Sequence, residues 1–327
     1  MSQQADYAKA AKVSRDDIPV INVSARHDPA GRAEIAAHLY QAAANTGFFY
    51  LAGHGISTEL QAGAFAASKA FFNLDAADKA SITVNQDQRG WMAAGQTNLE
   101  GAKTHDQKEV FFWGYDVGDD DEDVQNGVPL VVPNLWPTEK ASFLKPAIMP
   151  YYTEVLALGR DILSLLAVGM GHDEAIFTDA YRKPLGRGQL VYYPEMNSDD
   201  FSAERFGAAA HSDFGVLTIL MQDQLGGLQI ASKEGGWIEA PPIPNTFVCN
   251  IGDLLEMWTG GKLKSTLHRV INRAAEARYS IPIFCDPASK TVIDPSLFGG
   301  APSKTPITAG EYIISKNKRN FAHYQKK

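Results

Sequence analysis

The chain has 327 residues, of which 45% are hydrophobic and 21% are charged, and its formal net charge is −8. This apolar content suffices for the core of one large domain or two small ones. The acidic balance argues against a general nucleic-acid binder, which usually presents a basic face, so we expect a small-molecule substrate.

Membrane and export signals are lacking in the sequence. The longest apolar stretches, such as 162–170, are too short to span a bilayer, and residues 1–17 lack the apolar segment of a secretory signal. The two cysteines, Cys249 and Cys285, lie in strand-like apolar runs, which predicts buried thiols in a reducing compartment rather than a disulfide. We therefore expect a cytoplasmic monomer.

The first part of the chain alternates strand and helix signals. Its predicted elements are strands at 18–25 and 48–51 and helices at 33–45 and 58–71. Thr58 and Gln61 have the spacing of a capping box at the start of the second helix. The Gly-, Gln- and Asn-rich stretch 85–104 is predicted to be a loop, either facing the substrate or lying on the surface.

An acidic segment and a long helix follow. Residues 116–123 hold six acidic side chains in eight positions but lack the ligand spacing and central glycine of an EF-hand loop. We therefore predict a solvated loop, with calcium binding as the alternative. Thr138 can cap a helical region that runs to about Val168, in which Pro146 and Pro150 should break or bend the early part.

From Gln189 onward the pattern changes to short strands separated by turn residues. The predicted strands are 190–193, 216–222, 227–231, 237–239, 247–251, 266–271 and 278–284. Successive strands without intervening helices predict a double-sheet jelly roll with a ligand cavity between the sheets. The fold class is thus mainly β with α.

Two fragments in this part carry metal-ligand side chains: His211-Ser212-Asp213 and His268. Side chains at i and i+2 of a strand project to the same face, so His211 and Asp213 can share one cation, and a strand crossing opposite them can bring His268. Two imidazoles and one carboxylate on one face of an octahedral ion leave three positions open, as non-haem Fe(II) oxygenases require. The alternative is a chance pattern of surface residues, and the β-like surroundings favour the metal site.

Further candidates surround this motif. Arg278 and Ser280 form a second i, i+2 pair, whose guanidinium and hydroxyl could clamp a carboxylate. An oxidising site needs an apolar, aromatic lining, for which Trp91, Phe111 and Phe284 are candidates, with packing in the core as the alternative. The last residues, "EYIISKNKRNFAHYQKK", are predicted to form a helix whose basic end is a solvated tail rather than a cover over the pocket.

Many ordered segments resemble the Fe(II)- and 2-oxoglutarate-dependent oxygenases of the isopenicillin N synthase-like group. "IPVINVS" and "TGFFYLAGHGI" resemble its N-terminal region, and "QRGWMAAGQ" and "DQKEVFFWG" resemble its middle. "VYYP", "HSDFGVLTIL", "KSTLHRV" and "ARYSIPIF" follow in the order of its catalytic domain. The resemblance covers nearly the whole chain.

The resemblance implies a double-stranded β-helix core flanked by N-terminal and mid-chain helices. It implies Fe(II), 2-oxoglutarate and O2 as cofactor and co-substrates, with the two histidines and Asp213 as iron ligands. Arg278 and Ser280 would bind the distal carboxylate of 2-oxoglutarate, and Tyr193 would add its hydroxyl. The sequence departs from the group's common "NYYP" by having Val191 where Asn is usual, which affects a detail of the site.

The chain is expected to divide into a helical region at 1–180, the oxygenase jelly roll at 181–300 and a tail or helix at 301–327, packed as one unit. The implied reaction is hydroxylation of a small organic molecule, or its desaturation or ring closure, with release of succinate and CO2. An oxidase of the same family that uses no 2-oxoglutarate and a non-catalytic jelly-roll binder are the alternatives.

Overall fold

The computed structural model describes residues 10, 18–97, 106–195, 206–272 and 276–324. The N-terminal segment 1–17, apart from residue 10, and part of the loop predicted over 85–104 lie outside the described residues. The α-helices within the described ranges are α1 (Pro29–Asn45), α2 (Thr58–Phe72), α3 (Ala76–Ala80), α4 (Glu122–Gln125), α5 (Leu144–Gly169), α6 (Ala175–Ala180), α7 (Asp253–Trp258) and α8 (Ala309–Asn320).

The strands form two sheets. They are β1 (Val20–Asn22), β2 (Phe48–Ala52), β3 (Gly90–Met92), β4 (Glu109–Trp113), β5 (Arg187–Tyr193), β6 (Ala208–His211), β7 (Leu217–Gln222), β8 (Leu228–Ala231), β9 (Trp237–Glu239), β10 (Phe247–Ile251), β11 (His268–Val270) and β12 (Arg278–Cys285). The larger sheet has the order β1-β2-β10-β7-β12-β5-β4-β3, and the smaller has the order β6-β11-β8-β9. Strand β3 falls inside the stretch 85–104, so the loop prediction is wrong there.

Alternation along the strands of the larger sheet separates two cores. On β7, Leu217, Ile219 and Met221 point into a large apolar cluster shared with α1, α2 and α5. Leu220, with the opposite parity, packs in a smaller cluster shared with β8 and β11, and Thr218 opens into a cavity. The smaller sheet therefore covers the face turned away from the helices, and the space between the two sheets holds the candidate site.

Helix α5 is the central helix on the outer face. It runs over 26 residues and continues through Pro150, so neither proline produces the break that the prediction of a break or bend allowed. Pro146 lies in the first turn, where a helix needs no backbone N–H, and Pro150 removes only one backbone hydrogen bond from a helix whose inner stripe is fully buried. Helix α2 is capped by Ser57, whose Oγ accepts the Leu60 N–H at 3.2 Å, one residue before the predicted cap.

Two aspartates of the acidic segment form ion pairs with lysines. Lys183 pairs with Asp121 at 2.5 Å and with Asp123 at 2.8 Å, and Lys290 pairs with Asp123 at 2.7 Å. The loop prediction is wrong from Glu122 onward, where α4 begins.

Both cysteines, Cys249 and Cys285, are free and buried, as predicted. Burial raises the pKa of both thiols well above the ordinary value. Among the helices within the described ranges, none has the length and apolar character that crossing a bilayer demands. Strands from the first part of the chain join the larger sheet at both ends, since β2 pairs with β10 and β4 pairs with β5.

Candidate active site

Two histidines and an aspartate meet between the sheets. His211 ends β6 and His268 begins β11, and the two are direct partners in the antiparallel pairing. Asp213 lies in the turn beyond β6, not on the strand as predicted, and its Oδ1 is 3.7 Å from Nε2 of His268. One ligand atom from each of the three residues lies within 4.8 Å of the other two. The sequence-predicted trio is therefore brought together.

The backbone fixes the orientation of both imidazoles. Nδ1 of His211 donates to the Ala209 carbonyl at 2.6 Å, and Nδ1 of His268 donates to the Thr266 carbonyl at 3.2 Å. Because a carbonyl oxygen can only accept, each ring carries a proton on Nδ1, and Nε2 is the nitrogen left to bind a metal. Burial, aided by the neighbouring His268, lowers the pKa of His211 to about 4, so this imidazole is neutral at pH 7.

The carboxylate is oriented by the larger sheet. Oδ2 of Asp213 accepts hydrogen bonds from the Thr218 hydroxyl at 2.5 Å and from the Asn250 amide at 2.6 Å, which leaves Oδ1 facing the histidines. Burial alone would raise the pKa of Asp213, but the two histidines and these two hydrogen bonds outweigh it, and its pKa lies below the ordinary value. Two imidazoles and one carboxylate are the donor set that Fe(II) takes in non-haem oxygenases, so the residues fit that metal.

The three residues line one wall of a pocket with about 570 Å³ of empty space. Arg278 on β12 is 1% exposed, and its guanidinium lies over the ring of Tyr193, its partner on β5, at 4.8 Å. Its Nε donates to the Gly226 carbonyl at 2.6 Å and its Nη2 to Gln222 Oε1 at 3.3 Å. Nη1 is buried without an acceptor among the described residues, and no described carboxylate pairs with this cation. A buried, uncompensated guanidinium is costly unless an anion binds it, so the pocket fits the carboxylate of 2-oxoglutarate.

Two further predicted residues line the same pocket. Ser280 and Val191 are partners across β12 and β5, and both face the cavity. The serine hydroxyl adds a second polar group beside Arg278. Val191 adds apolar surface at the position where the group's common "NYYP" has the side-chain amide of Asn.

A second cavity, with about 530 Å³ of empty space, adjoins the first. The two cavities share Lys108, Gln189, His211, Asp213 and Phe284. The walls particular to the second cavity are aromatic and polar side chains, among them Phe112, Arg187, Asn317 and Phe321. A molecule in this second cavity would therefore lie directly beside the metal ligands.

Two of the predicted lining residues lie elsewhere. Trp91 and Phe111 point to the helix side of the larger sheet and belong to the large apolar cluster. The Trp91 Nε1 donates to Glu109 at 2.8 Å, and the Phe111 ring packs against Phe71 with a centroid distance of 5.1 Å. The prediction that they line the pocket is wrong. Side chains alternate along a strand, and those at the neighbouring positions face the cavity. Phe284 does line both cavities.

Two cations near the metal ligands were missed by the sequence reasoning. Lys108 pairs with Asp106 at 2.9 Å. Burial lowers the pKa of Lys108, but Asp106 outweighs that effect and the pKa lies above the ordinary value, so the lysine is charged. Arg187 lies at the start of β5, its Nε donates to Asp286 at 2.8 Å, and its guanidinium lies 4.9 Å from the centre of the Phe284 ring. A predicted strand that began three residues earlier would include Arg187 and would place it on the same strand face as Tyr193, which lines the cavity.

The C-terminal segment also departs from expectation. Asn317 and Asn320, both within "KNKRN", are buried, so the predicted solvated tail is wrong at these positions. Asn317 lines the second cavity, and Phe321 closes one of its walls. The segment instead forms a helix against the pocket, which is the alternative to a solvated tail.

Comparisons with known proteins agree over nearly the whole chain. The N-terminal model of non-haem dioxygenases in morphine synthesis matches residues 18–139, and the 2OG-Fe(II) oxygenase superfamily model matches residues 188–287. A probable iron/ascorbate oxidoreductase of Dictyostelium discoideum is 36% identical over 86% of this chain and 84% of its own length. A 2-oxoglutarate-dependent dioxygenase of Aspergillus niger is 35% identical over 83% of this chain and 85% of its own.

A solved structure is similar at the level of the fold as well. A full-length Neurospora crassa protein, solved in complex with alpha-KG (2-oxoglutarate) and thymine, superposes with a TM-score of 0.81 at 29% identity. The superposition covers 94% of this chain and 98% of that one. The predicted jelly-roll core with flanking helices is confirmed by this similarity.

Proposed function

The chain belongs to the 2OG-Fe(II) oxygenase superfamily and is an Fe(II)- and 2-oxoglutarate-dependent oxygenase, and we propose that it hydroxylates a small, flat organic molecule. One observation carries the assignment of its site. Two histidines and an ionised aspartate lie in the same cavity as a buried arginine that has one donor without an acceptor among the described residues. A metal site and a carboxylate site are thus adjacent.

Each residue then has a role. His211, Asp213 and His268 would hold Fe(II) through two imidazoles and one carboxylate. Bound Fe(II), with 2-oxoglutarate and O2, supplies the oxidising power, and the balanced outcome is R–H, 2-oxoglutarate and O2 giving R–OH, succinate and CO2.

The co-substrate is oriented by the strands. Arg278 and Ser280 bind its distal carboxylate, Tyr193 adds its hydroxyl, and the Tyr193 ring keeps the guanidinium in place. Fixing the far end in this way sets the distance between the near end and the metal ligands. Val191 and the neighbouring aliphatic side chains keep water away from the middle of the molecule.

The substrate is proposed to occupy the second cavity. Its aromatic walls, Phe112, Phe284 and Phe321, suit a flat ring, and Lys108 and Arg187 offer donors to acceptor atoms on that ring. The similarity to the Neurospora crassa protein, which was solved with thymine bound, supports a molecule of that size. Desaturation and ring closure are alternative outcomes for the same site.

The organisation of the protein is proposed to follow the sequence expectation. Regions 1–180, 181–300 and 301–327 act as one structural unit, which the shared larger sheet supports. The two free cysteines support a reducing, cytoplasmic location. We propose a monomer, to be checked by light scattering on the purified protein.

The test is a screen of small flat molecules with anaerobically iron-loaded protein, to which 2-oxoglutarate and then O2 are added. We expect at least one compound to stimulate succinate formation and to appear as its hydroxylated product in equal amount. Product formation without succinate would instead identify an oxidase that does not use 2-oxoglutarate. Normal binding of iron and 2-oxoglutarate with no oxidised product from any compound would favour the non-catalytic binder.

A further inference from the structure

Helix α8 is connected through Asp253 to the backbone of Asp213. The helix begins with a reciprocal capping box between Thr308 and Glu311. Further along, Lys316 pairs with Asp253 at 2.9 Å, and the Asp253 N–H donates to the Asp213 carbonyl at 2.7 Å. One aspartate therefore connects the C-terminal helix with the backbone of a metal ligand, and the helix has a fixed position relative to the metal cluster.

The residue after α8 seals one end of the second cavity. Phe321 makes an isolated antiparallel bridge with Thr97 and an edge contact with Phe112, with 6.1 Å between the ring centroids. These contacts join the C-terminal segment to the strand edge on the other side of the cavity. Asn317 of the helix and Phe321 after it thus line the same cavity as His211 and Asp213.

Asn317 is the polar residue that α8 presents to this cavity. Its side chain is fully buried, lines the second cavity, and donates through Nδ2 to the Tyr324 hydroxyl at 3.3 Å. Its Oδ1 is buried without a hydrogen-bond donor among the described residues. A buried carbonyl oxygen without a donor costs free energy, and a ligand that supplies the donor removes this cost.

We propose that Asn317 determines substrate specificity: its Oδ1 accepts a hydrogen bond from an N–H or O–H group of the molecule bound in the second cavity. The inference rests on the proposed function, because it takes that cavity as the substrate site. It adds a chemical requirement that the metal and co-substrate residues do not impose. The substrate is a flat molecule that carries a donor on the edge turned towards α8.

A site built in this way rejects analogues that lack the donor. When a methyl group replaces the hydrogen, the carboxamide oxygen stays unpaired and the added volume meets the helix wall. The expected preference for the donor-bearing compound is about tenfold or more in dissociation constant, the size of one hydrogen bond in a buried site.

The experiment measures anaerobic binding to the full chain loaded with Fe(II) and 2-oxoglutarate, by calorimetry. The probes are matched pairs of flat compounds: thymine and 1,3-dimethylthymine, 2-pyridone and N-methyl-2-pyridone, indole and 1-methylindole, and phenol and anisole. We expect the wild type to prefer the donor member of at least one pair by about tenfold or more, and Asn317→Leu to reduce that preference to about twofold or less. Asn317→Ala, which removes the carboxamide without adding volume, gives the same comparison if the leucine variant does not fold.

The matched control is Asn320→Leu, an equally buried asparagine on the same helix whose Nδ2 bonds to the Lys316 carbonyl within the helix. It should keep the wild-type preference. The inference would be overturned if the wild type bound both members of every pair equally or bound no compound at all. It would also be overturned if the preference survived in both Asn317 variants, or if Asn320→Leu lost it as well. The affinity for 2-oxoglutarate is measured in parallel. If the wild type did not bind 2-oxoglutarate, the proposed function itself would be wrong.

Discussion

The two halves of the active-site space are built in different ways. The side proposed for the co-substrate is made by neighbouring strands, with Arg278 and Ser280 on β12 opposite Tyr193 and Val191 on β5. The side proposed for the substrate collects side chains from β4, β5, β12 and the C-terminal helix, which are far apart in the sequence. One side is set by the regular geometry of a sheet, and the other by how separate segments pack, so the chemistry is readable from local patterns while the substrate preference is not.

Removing the metal ligand Asp213 should have the largest effect and should affect both sides. We expect Asp213→Ala to lower both iron content and turnover by more than about 100-fold, because it removes a direct ligand, whereas loss of an outer partner costs about 10- to 100-fold. Metal analysis after desalting and succinate release check this. Asp179→Ala, at an exposed aspartate, is the control and should retain iron. Full iron content in the Asp213 variant would contradict the assignment.

Arg278→Ala addresses the co-substrate side alone. The variant should raise the KM for 2-oxoglutarate about 10- to 100-fold, since a hydrogen bond to a charged group contributes about 1.5–3 kcal/mol. Iron content and the affinity for substrate should be unchanged, because neither the metal cluster nor the second cavity contains this residue. Arg182→Ala, at an exposed arginine, should leave the KM unaltered. An unchanged KM in the Arg278 variant would favour the oxidase alternative.

The hydrogen bond from Asn250 to Asp213 should have a smaller effect. Asn250→Leu removes a donor to Oδ2 of the metal-binding carboxylate, and we expect iron affinity to fall about tenfold. Competition with a chelator of known affinity measures it. Thr246→Val removes a hydroxyl that donates to the Ile243 carbonyl on the same loop, and this variant should bind iron like the wild type.

Phe111 and Phe112 are adjacent on β4 and point to opposite faces, so they make a matched pair. Phe112→Leu should raise the KM for the substrate severalfold, since its ring lines the second cavity. Phe111→Leu should leave the KM unchanged and lower the free energy of unfolding by about 1 kcal/mol, because it alters only packing on the helix side. Denaturant unfolding and steady-state kinetics separate the two effects. Equal KM changes in both variants would contradict the assignment of faces.

The successes and failures of sequence reasoning follow the same division. The metal trio and the Arg278–Ser280 pair were predictable because each fragment is short and lies in or beside a strand, where side-chain direction follows position. Phe111 packs on the helix side and its neighbour Phe112 faces the pocket, and the β-rich run "VFFW" gives no sign of which of the two points inward. The strand predicted at 190–193 begins three residues after the start of β5, so the prediction does not include Arg187.

The C-terminal helix shows a second limit. The composition of "KNKRN" indicates a solvated surface, and Lys318 and Arg319 are indeed exposed. Only the packing of α8 across the cavity turns Asn317 inward, and that arrangement depends on contacts with Asp253, which is far away in the sequence. Long-range contacts of this kind leave no local pattern to detect.

The setting of Arg187 has a consequence for binding. Its guanidinium is held by the Asp286 carboxylate on one side and by the Phe284 ring on the other, and Asp286 in turn accepts the Val216 N–H. An arginine side chain that is free in solution loses considerable conformational entropy when a ligand immobilises it. Here that loss takes place when the chain folds, so a substrate that contacts Arg187 meets a donor whose direction is already fixed, and the entropic cost of binding is smaller.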